Sequence, residues 1–253
     1  VILSAPHGGG LKPSEIPNRN YGTIGADRNT AELTYAVRDA LIELTGYAPH
    51  IVVSHLHRVK LDPNREIEEA AQGDAFAEYA WNEFHRWIQL ARINVHVRGE
   101  GMYFDMHGHG HAAERLELGY LLSSEELNGT DASLDGLSIV QRTSIRELGR
   151  DTAIRFSALL RGPTSLGGML EDEGILSVPS PSVPSPGGDP YFSGGFNTQE
   201  YGSRSDTELV SGIQLEHHYP GLRDTDENRR AYAAKLALVI QRFMLEHIGF
   251  FEP

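Results

Sequence analysis

The chain opens with VILSAPHGGG (residues 1–10), an apolar run followed at once by a histidine and three glycines. Val1 to Pro6 has the length and composition of a buried strand. In an open α/β sheet, functional groups lie beyond the carboxyl ends of the strands. Glycines beside His7 let the backbone and a ligand come close together without obstruction by Cβ atoms. We therefore take His7 as the first candidate site residue.

Strand-like and helix-like segments alternate along the rest of the chain. Apolar or β-branched runs predict strands at 51–56, in GMYFDMHGHGH (101–111), at 116–122 and at 212–217. Apolar residues at helical spacing predict helices at 26–46, 74–97, 144–161, 165–173 and 227–248. This alternation favours an α/β fold, with an open, mostly parallel sheet and helices on both faces. The length of 253 residues is compatible with one domain, residues 1–253.

The composition excludes several classes of partner and site. The formal net charge of −13 argues against nucleic acid or an anionic membrane as the main partner, and no window approaches the roughly 18 apolar residues of a membrane span. The chain has no cysteine, so a metal must be held by histidine and carboxylate. The lack of cysteine and the start inside a predicted strand lead us to expect an exported protein.

The stretch SVPSPSVPSPGGDPYFSGGFN (residues 177–197) has the composition of a flexible linker. It also carries Tyr191, Phe192 and Phe196, aromatic residues that a linker does not need. We therefore expect an ordered loop that covers the site and shapes access to it.

Ionisable residues follow three of the predicted strands, and these strand ends meet at one edge of a parallel sheet. Each residue alone is more typical of an ordinary loop or surface group, but together they favour a site. They are His7, then Asp105, His107, His109 and His111, then Glu216, His217 and His218.

A zinc site would need three protein ligands and an open position, and imidazole with carboxylate is the usual set. His7 and His107 are the expected histidine ligands, and Glu15 is our choice of carboxylate. Asp27 is the alternative to Glu15, although an aspartate just before a helix is also commonly its N-cap. His109 is a rival ligand to His107.

Asp105 lies two residues before His107 and on the same face of the predicted strand. We expect its carboxylate to orient a ligand imidazole through a hydrogen bond.

Glu216 lies in the run GIQLEHHY (212–219), where it alternates with Ile213 and Leu215. Strand alternation places Glu216 with Gln214 on the opposite face. A carboxylate there is either salt-bridged within the sheet or a general base whose pKa is raised by burial.

Basic residues cluster after the second strand, in HLHRVKLDPNRE (55–66). Arg58, Asn64 and Arg65 are candidates for binding a substrate carboxylate, because the guanidinium fork matches it well. Alternatively, Asp62 and Glu66 neutralise these charges on a solvated turn.

Five motifs occur in an order that resembles the N-formylglutamate amidohydrolase family, which is related to zinc carboxypeptidases and aminoacylases. The motifs, spread from residue 4 to 219, are SAPHGGG, DRNTAEL, HRVKLDPNRE, DMHGHGH and GIQLEHHY. The resemblance implies a three-layer α/β/α, phosphorylase/hydrolase-like fold with a mixed sheet, one zinc ion per chain, and hydrolysis of an amide on an acidic amino acid.

The resemblance also implies roles for individual residues. His7 and His107 match the family's histidine motifs, Asn64 and Arg65 its carboxylate-binding pair, and Glu216 its catalytic glutamate. The related carboxypeptidases have a glutamate ligand three residues after the first histidine, where this chain has Gly10. The choice between Glu15 and Asp27 therefore stays open.

The sequence thus predicts a zinc-dependent amidohydrolase acting on a small anionic substrate, an N-acyl amino acid or an acidic peptide. Alternatives within the same chemistry are a zinc peptidase and a poly-γ-glutamate hydrolase. Outside enzymes, the alternative is a module that binds an acidic ligand. No G-x-S-x-G motif supports a serine hydrolase.

Overall fold

The computed structural model describes residues 1–150 and 153–250 of the chain. The strands of its sheet are β1 (Ile2–Ala5), β2 (His50–Val53), β3 (Gly101–Gly108), β4 (Leu116–Gly119), β5 (Ser177–Val178) and β6 (Val210–His217). The helices are α1 (Thr30–Thr45), α2 (Ile67–Ala71), α3 (Ala75–His96), α4 (Ser124–Leu127), α5 (Asp131–Leu134), α6 (Leu137–Val140), α7 (Phe156–Arg161), α8 (Leu166–Asp172), α9 (Phe196–Tyr201) and α10 (Asp226–Ile248).

The six strands form one mixed sheet in the order β2-β1-β3-β6-β4-β5. The pairs β1–β2, β1–β3 and β3–β6 are parallel, whereas β4 is antiparallel to β6 and parallel to β5. The carboxyl ends of β1, β3 and β6 therefore lie side by side at one edge of the sheet. Because β4 runs the other way, its first residues reach the same edge.

Side chains of the central strand β3 alternate between the two faces of the sheet. Met102, Phe104 and Met106 pack in the large core that also contains α1 and α10, whereas Tyr103 packs against α3 on the other face. Asp105 and His107 follow Tyr103 at alternate positions and share its face. Helices thus cover both faces, and the expected three-layer α/β/α class with a mixed sheet is confirmed.

The longest predicted elements are confirmed within a few residues, but several others differ. Helix α1 begins at Thr30, because residues 26–29 form the turn that carries Asp27 to the site. The predicted helix at 144–161 is wrong for its first part: Ile145 makes a bridge with Ser203, and a 3-10 turn covers Leu148–Arg150. Residues 151 and 152 of that prediction lie outside the described part of the chain.

The proline-rich stretch is an ordered loop, as predicted. It begins with the short strand β5 and ends in α9, neither of which was expected. Tyr191 donates its hydroxyl to the carbonyl of Leu118 at 2.5 Å, and the Phe192 N–H donates to Glu117 Oε2 at 2.8 Å. Among the helices of residues 1–150 and 153–250, none is both long enough and apolar enough to span a bilayer.

The glycines after His7 have different neighbours. A Cβ at Gly8 would lie 2.4 Å from the backbone nitrogen of Ala31, and one at Gly9 would lie 2.3 Å from the carbonyl carbon of His55. A Cβ at Gly10 would have nothing within 4 Å. The turn therefore needs glycine at the first two positions, because backbone packs on backbone there.

We predict that Gly9→Ala lowers the free energy of unfolding by roughly 1–3 kcal/mol, because the backbone around residue 55 must move. Gly10→Ala is the matched control, and its stability should change by less than about 0.5 kcal/mol. Urea unfolding of the two variants checks this. Equal stabilities would show that the close packing of Gly9 does not constrain the turn.

Candidate functional site

Two histidines and an aspartate converge at the carboxyl edge of the sheet. His7 follows β1, His107 lies near the end of β3, and Asp27 precedes α1. The Nδ1 atoms of both imidazoles lie 3.3 Å from the same oxygen, Asp27 Oδ2. All three side chains are at least nine-tenths buried. Two ring nitrogens and a carboxylate oxygen in one small volume are a suitable ligand set for a divalent cation.

Backbone hydrogen bonds hold Asp27 in this position. Its N–H donates to the carbonyl of His7 at 3.0 Å, and the Gly108 N–H donates to Asp27 Oδ2 at 3.1 Å. Asn29 rather than Asp27 is the residue before α1, and it makes no side-chain cap. The carboxylate of Asp27 is therefore directed to the histidines and does not cap the helix.

A buried carboxylate lies behind each histidine, on the side away from Asp27. His7 Nε2 lies 2.6 Å from Asp62 Oδ1, and His107 Nε2 lies 2.7 Å from Asp105 Oδ2. Ser4 donates to the other oxygen of Asp105. Such carboxylate–imidazole contacts fix the orientation of a metal-binding ring. The expected role of Asp105 matches this contact.

These carboxylates also decide which ring nitrogen carries a proton. Burial raises the pKa of Asp62, but His7 and Arg58 outweigh it and the pKa lies below its usual value. For Asp105, burial likewise raises the pKa, and His107 and Ser4 more than offset it. An ionised carboxylate only accepts hydrogen bonds, so each Nε2 is the donor. In the neutral rings the lone pair is then at Nδ1, the atom that faces Asp27.

The electrostatic field between the three side chains favours positive charge. Burial lowers the pKa of His107, but the Asp105 and Asp27 carboxylates dominate, so this pKa lies well above its usual value. Burial raises the pKa of Asp27, whereas His7 and His107 lower it by more. The group therefore stabilises either a proton or a cation at this position.

Glu216 lies on β6 directly beside His107, in the register of the parallel pair. Gln214 donates to its Oε1 at 3.0 Å, which confirms that the two side chains share a face. Its Oε2 is buried and has no hydrogen-bond partner among the described residues. Burial raises the pKa of Glu216 to about 8, with a smaller opposing effect of His107. A carboxyl group with a pKa in this range can both take up and release a proton near neutral pH.

Two of the three residues expected to bind a substrate carboxylate, Arg58 and Asn64, lie beside the group but have partners of their own. Arg58 Nε donates to Asp62 Oδ2 at 2.8 Å, and its Nη1 lies 3.8 Å from Asp27 Oδ1. Asn64 accepts the backbone N–H of Asn197 at 2.9 Å, and its Nδ2 lies 3.4 Å from His107 Nε2.

Arg65 differs from these two residues because its side chain is about one-third exposed. Its Nη1 donates to the Asn64 carbonyl at 2.6 Å, and its Nε lies 3.3 Å from Glu69 Oε1. Of the three expected residues, Arg65 is the one most accessible to a ligand in solution.

The structure distinguishes between the two candidate carboxylate ligands, Asp27 and Glu15. Asp27 lies in the histidine group, whereas Glu15 is exposed and accepts a hydrogen bond from Ser14 at 3.2 Å. Beyond Gly10 the chain pairs through Leu11 with residues 55–57, which follow β2 in the sequence. The geometry therefore favours Asp27 over Glu15.

His109 belongs to a different group from His107. Its ring lies near His111 and Glu117, and ligand atoms of these three residues lie within 4.8 Å of one another. His111 Nδ1 is 2.7 Å from Glu117 Oε1. His109 is therefore not placed as a substitute for His107 beside His7 and Asp27.

Three buried charged residues of this region were not predicted as site residues from the sequence. Local composition places Asp62 on a solvated turn with basic neighbours, whereas the structure buries it fully behind His7. Glu117 lies inside a predicted strand, where the only indication of a functional role is its charge between two leucines. Arg115 contacts Asp189 at 3.2 Å, while its Nε and Nη2 are buried without a partner among the described residues.

The sequence matches no protein-family model and no curated protein. Its structure is similar to that of the N-formylglutamate amidohydrolase from Ralstonia eutropha JMP134, with a TM-score of 0.58 and 15% identity over 98% of this chain and 93% of that chain. It also matches the N-acetylmuramyl-L-alanine amidase Ami1 from Mycobacterium smegmatis, covering 97% of this chain and 96% of that chain, at 10% identity and a TM-score of only 0.41. The first likeness confirms, at the level of the fold, the resemblance that the motifs indicate.

Proposed function

We propose that this protein is a zinc-dependent amidohydrolase that cleaves the amide bond of a small, carboxylate-bearing substrate such as an N-acyl amino acid. The observation that carries the proposal is the pair of imidazoles, each oriented by a buried carboxylate, that converge on Asp27. N-formylglutamate is the first substrate to test, because the similar structure from Ralstonia eutropha is named for it.

The residues fit a zinc ion by their chemistry. His7 and His107 would bind through Nδ1, and Asp27 through Oδ2, the atoms that face one another. Two imidazoles and one carboxylate leave a coordination position for water or substrate, as in catalytic rather than structural zinc sites. When bound, zinc supplies Lewis-acid polarisation of a carbonyl and lowers the pKa of a water ligand towards ~7.

Glu216 is the proposed general base and acid. Its Oε2, which has no hydrogen-bond partner within residues 1–150 and 153–250, takes the proton from the attacking water. The carboxyl group then passes this proton to the leaving amine nitrogen. Gln214 holds the other oxygen, so the carboxyl group keeps one orientation during both transfers. The position beside His107 puts Glu216 next to the proposed ligands.

Arg65 is the proposed anchor for the substrate carboxylate, and Arg58 and Asn64 are proposed to assist it. Arg58 is held by Asp62 and faces Asp27, so its charge acts on the site from behind the ligands. Arg65 is partly exposed, and its guanidinium group can bind a carboxylate of a ligand once its ion pair with Glu69 is broken.

The proposal is tested by elemental analysis of the purified protein together with hydrolysis of N-formyl-L-glutamate before and after chelation. We expect zinc to bind and hydrolysis to be lost with chelator and restored by zinc. Zinc binding without hydrolysis would redirect the search to acidic peptides and poly-γ-glutamate. No zinc uptake even when zinc is offered would contradict the proposal and favour a binding module.

We predict that Glu216→Gln reduces kcat by about 10²–10⁴-fold, because amide replaces the group that exchanges the proton. Zinc content should stay unchanged, since Glu216 is not a proposed ligand. The matched control is Glu43→Gln, at an exposed position of α1. A Glu216→Gln variant with normal turnover would exclude the assigned role.

The choice of carboxylate ligand gives a further prediction. Asp27→Asn should weaken zinc binding by more than about tenfold, because it removes the ligand charge between the histidines. Glu15→Gln should leave the affinity unchanged. Competition with a chromophoric chelator measures both dissociation constants, and circular dichroism checks that each variant is folded. The opposite ranking would identify Glu15 as the ligand.

A further inference from the structure

A second cluster of metal-binding side chains lies on the other side of Glu216. It consists of His109, His111 and Glu117, and we call it the distal group. Glu117 and Glu216 are neighbours in the antiparallel pair β4–β6, as His107 and Glu216 are in β3–β6. On the adjacent strands β3, β6 and β4, Glu216 therefore lies between His107 of the first group and Glu117 of the distal group.

One histidine of the distal group, His109, is oriented by a hydrogen bond as the histidines of the first group are. His109 Nε2 donates to the Arg115 carbonyl at 2.8 Å, so its lone pair is at Nδ1. The His111 N–H, 3.1 Å away, donates to that lone pair. A backbone carbonyl behind a histidine orients a metal ligand as a carboxylate does.

Glu117 is fully buried, and its two oxygens have different partners. Oε2 accepts the Phe192 N–H at 2.8 Å, whereas Oε1 faces His111 Nδ1 at 2.7 Å and His109 Nδ1 at 3.9 Å. The ring of Phe192 stacks on His111 with centroids 4.7 Å apart. The histidine-rich motif and the proline-rich loop (residues 177–197) therefore both contact the buried carboxylate of Glu117.

A second observation at this place is the buried Oε2 of Glu216, which has no hydrogen-bond partner in the described part of the chain. The residue is more than nine-tenths buried, and it is paired across the sheet with Glu117 on one side and His107 on the other. Two ionised carboxylates on adjacent strands repel each other, and a cation between them would offset this repulsion. No arginine or lysine of the described residues forms a salt bridge with Glu117 or Glu216.

We infer that His109, His111 and Glu117 form a second site for a divalent cation of the zinc type. Imidazole nitrogen with one carboxylate suits zinc, cobalt or nickel better than magnesium or calcium. The inference goes beyond the proposed function, which requires one ion held by His7, Asp27 and His107.

The two sites are expected to bind independently. Adjacent strands lie about 4.8 Å apart, so the Cα atoms of His107 and Glu117 are separated by roughly 10 Å across β6. Ions bridged in a two-metal centre are only about 3.5–4 Å apart. The distal site should also be the weaker one, because an ion there must replace the His111 contacts to His109 and Glu117.

The test is a zinc titration of the chelator-treated protein, followed by calorimetry and by elemental analysis after dialysis at fixed free zinc. We expect two ions per chain in the unmodified protein. His111→Ala should keep one ion, bound tightly, and weaken the second by more than about tenfold. His7→Ala should lose the tight site and keep the weaker one.

Two further variants make this test specific. Glu117→Gln removes the ligand charge with little change of shape and should reproduce the loss seen in His111→Ala. His96→Ala removes an exposed histidine at the end of α3 and should still bind two ions. Saturation of the unmodified protein at one ion, or two ions retained in His111→Ala, would overturn the inference.

Discussion

Hydrogen bonds between buried carboxylates and the Nε2 atoms of His7 and His107 set the geometry on which the rest of the site depends. Asp62 and Asp105 accept these bonds at 2.6 and 2.7 Å. Because each carboxylate takes one ring nitrogen, the other nitrogen of each ring is directed at Asp27. Without these contacts the imidazoles could rotate about χ1 and χ2, and no shared ligand position would persist.

Burial of so many carboxyl groups explains why this edge of the sheet favours cations. Five of them lie in this region and are at least nine-tenths buried: Asp27, Asp62, Asp105, Glu117 and Glu216. Ionised groups away from water are costly unless they are paired. Arg58 and the histidines offset part of this charge, and burial raises the pKa of Glu216 to about 8. A divalent ion between His7 and His107 would offset much of the rest.

The sequence predicted the sheet edge better than the details of the site. Strand endings at His7, His107 and Glu216 could be read from apolar runs, and their meeting followed from parallel pairing. Asp27 could not be separated from Glu15, because the hydrogen bond of its N–H to the His7 carbonyl is a tertiary contact.

Two further buried carboxylates and the pairing of β4 and β5 show the same limit. Glu117 and Asp62 lie in segments whose local composition matches an ordinary strand and a solvated turn, and only the fold buries them. The antiparallel direction of β4 and the short strand β5 depend on pairing between distant segments. Local periodicity contains no information about such pairings, so neither the direction of β4 nor the strand β5 could be predicted from it.

Anomalous diffraction at the zinc edge, from crystals grown with zinc, tests the proposed metal site directly. We expect a strong anomalous peak bounded by His7 Nδ1, His107 Nδ1 and Asp27 Oδ2, with metal–nitrogen distances of about 2.0–2.1 Å. A zinc-loaded crystal with no peak between these three atoms would contradict the central claim.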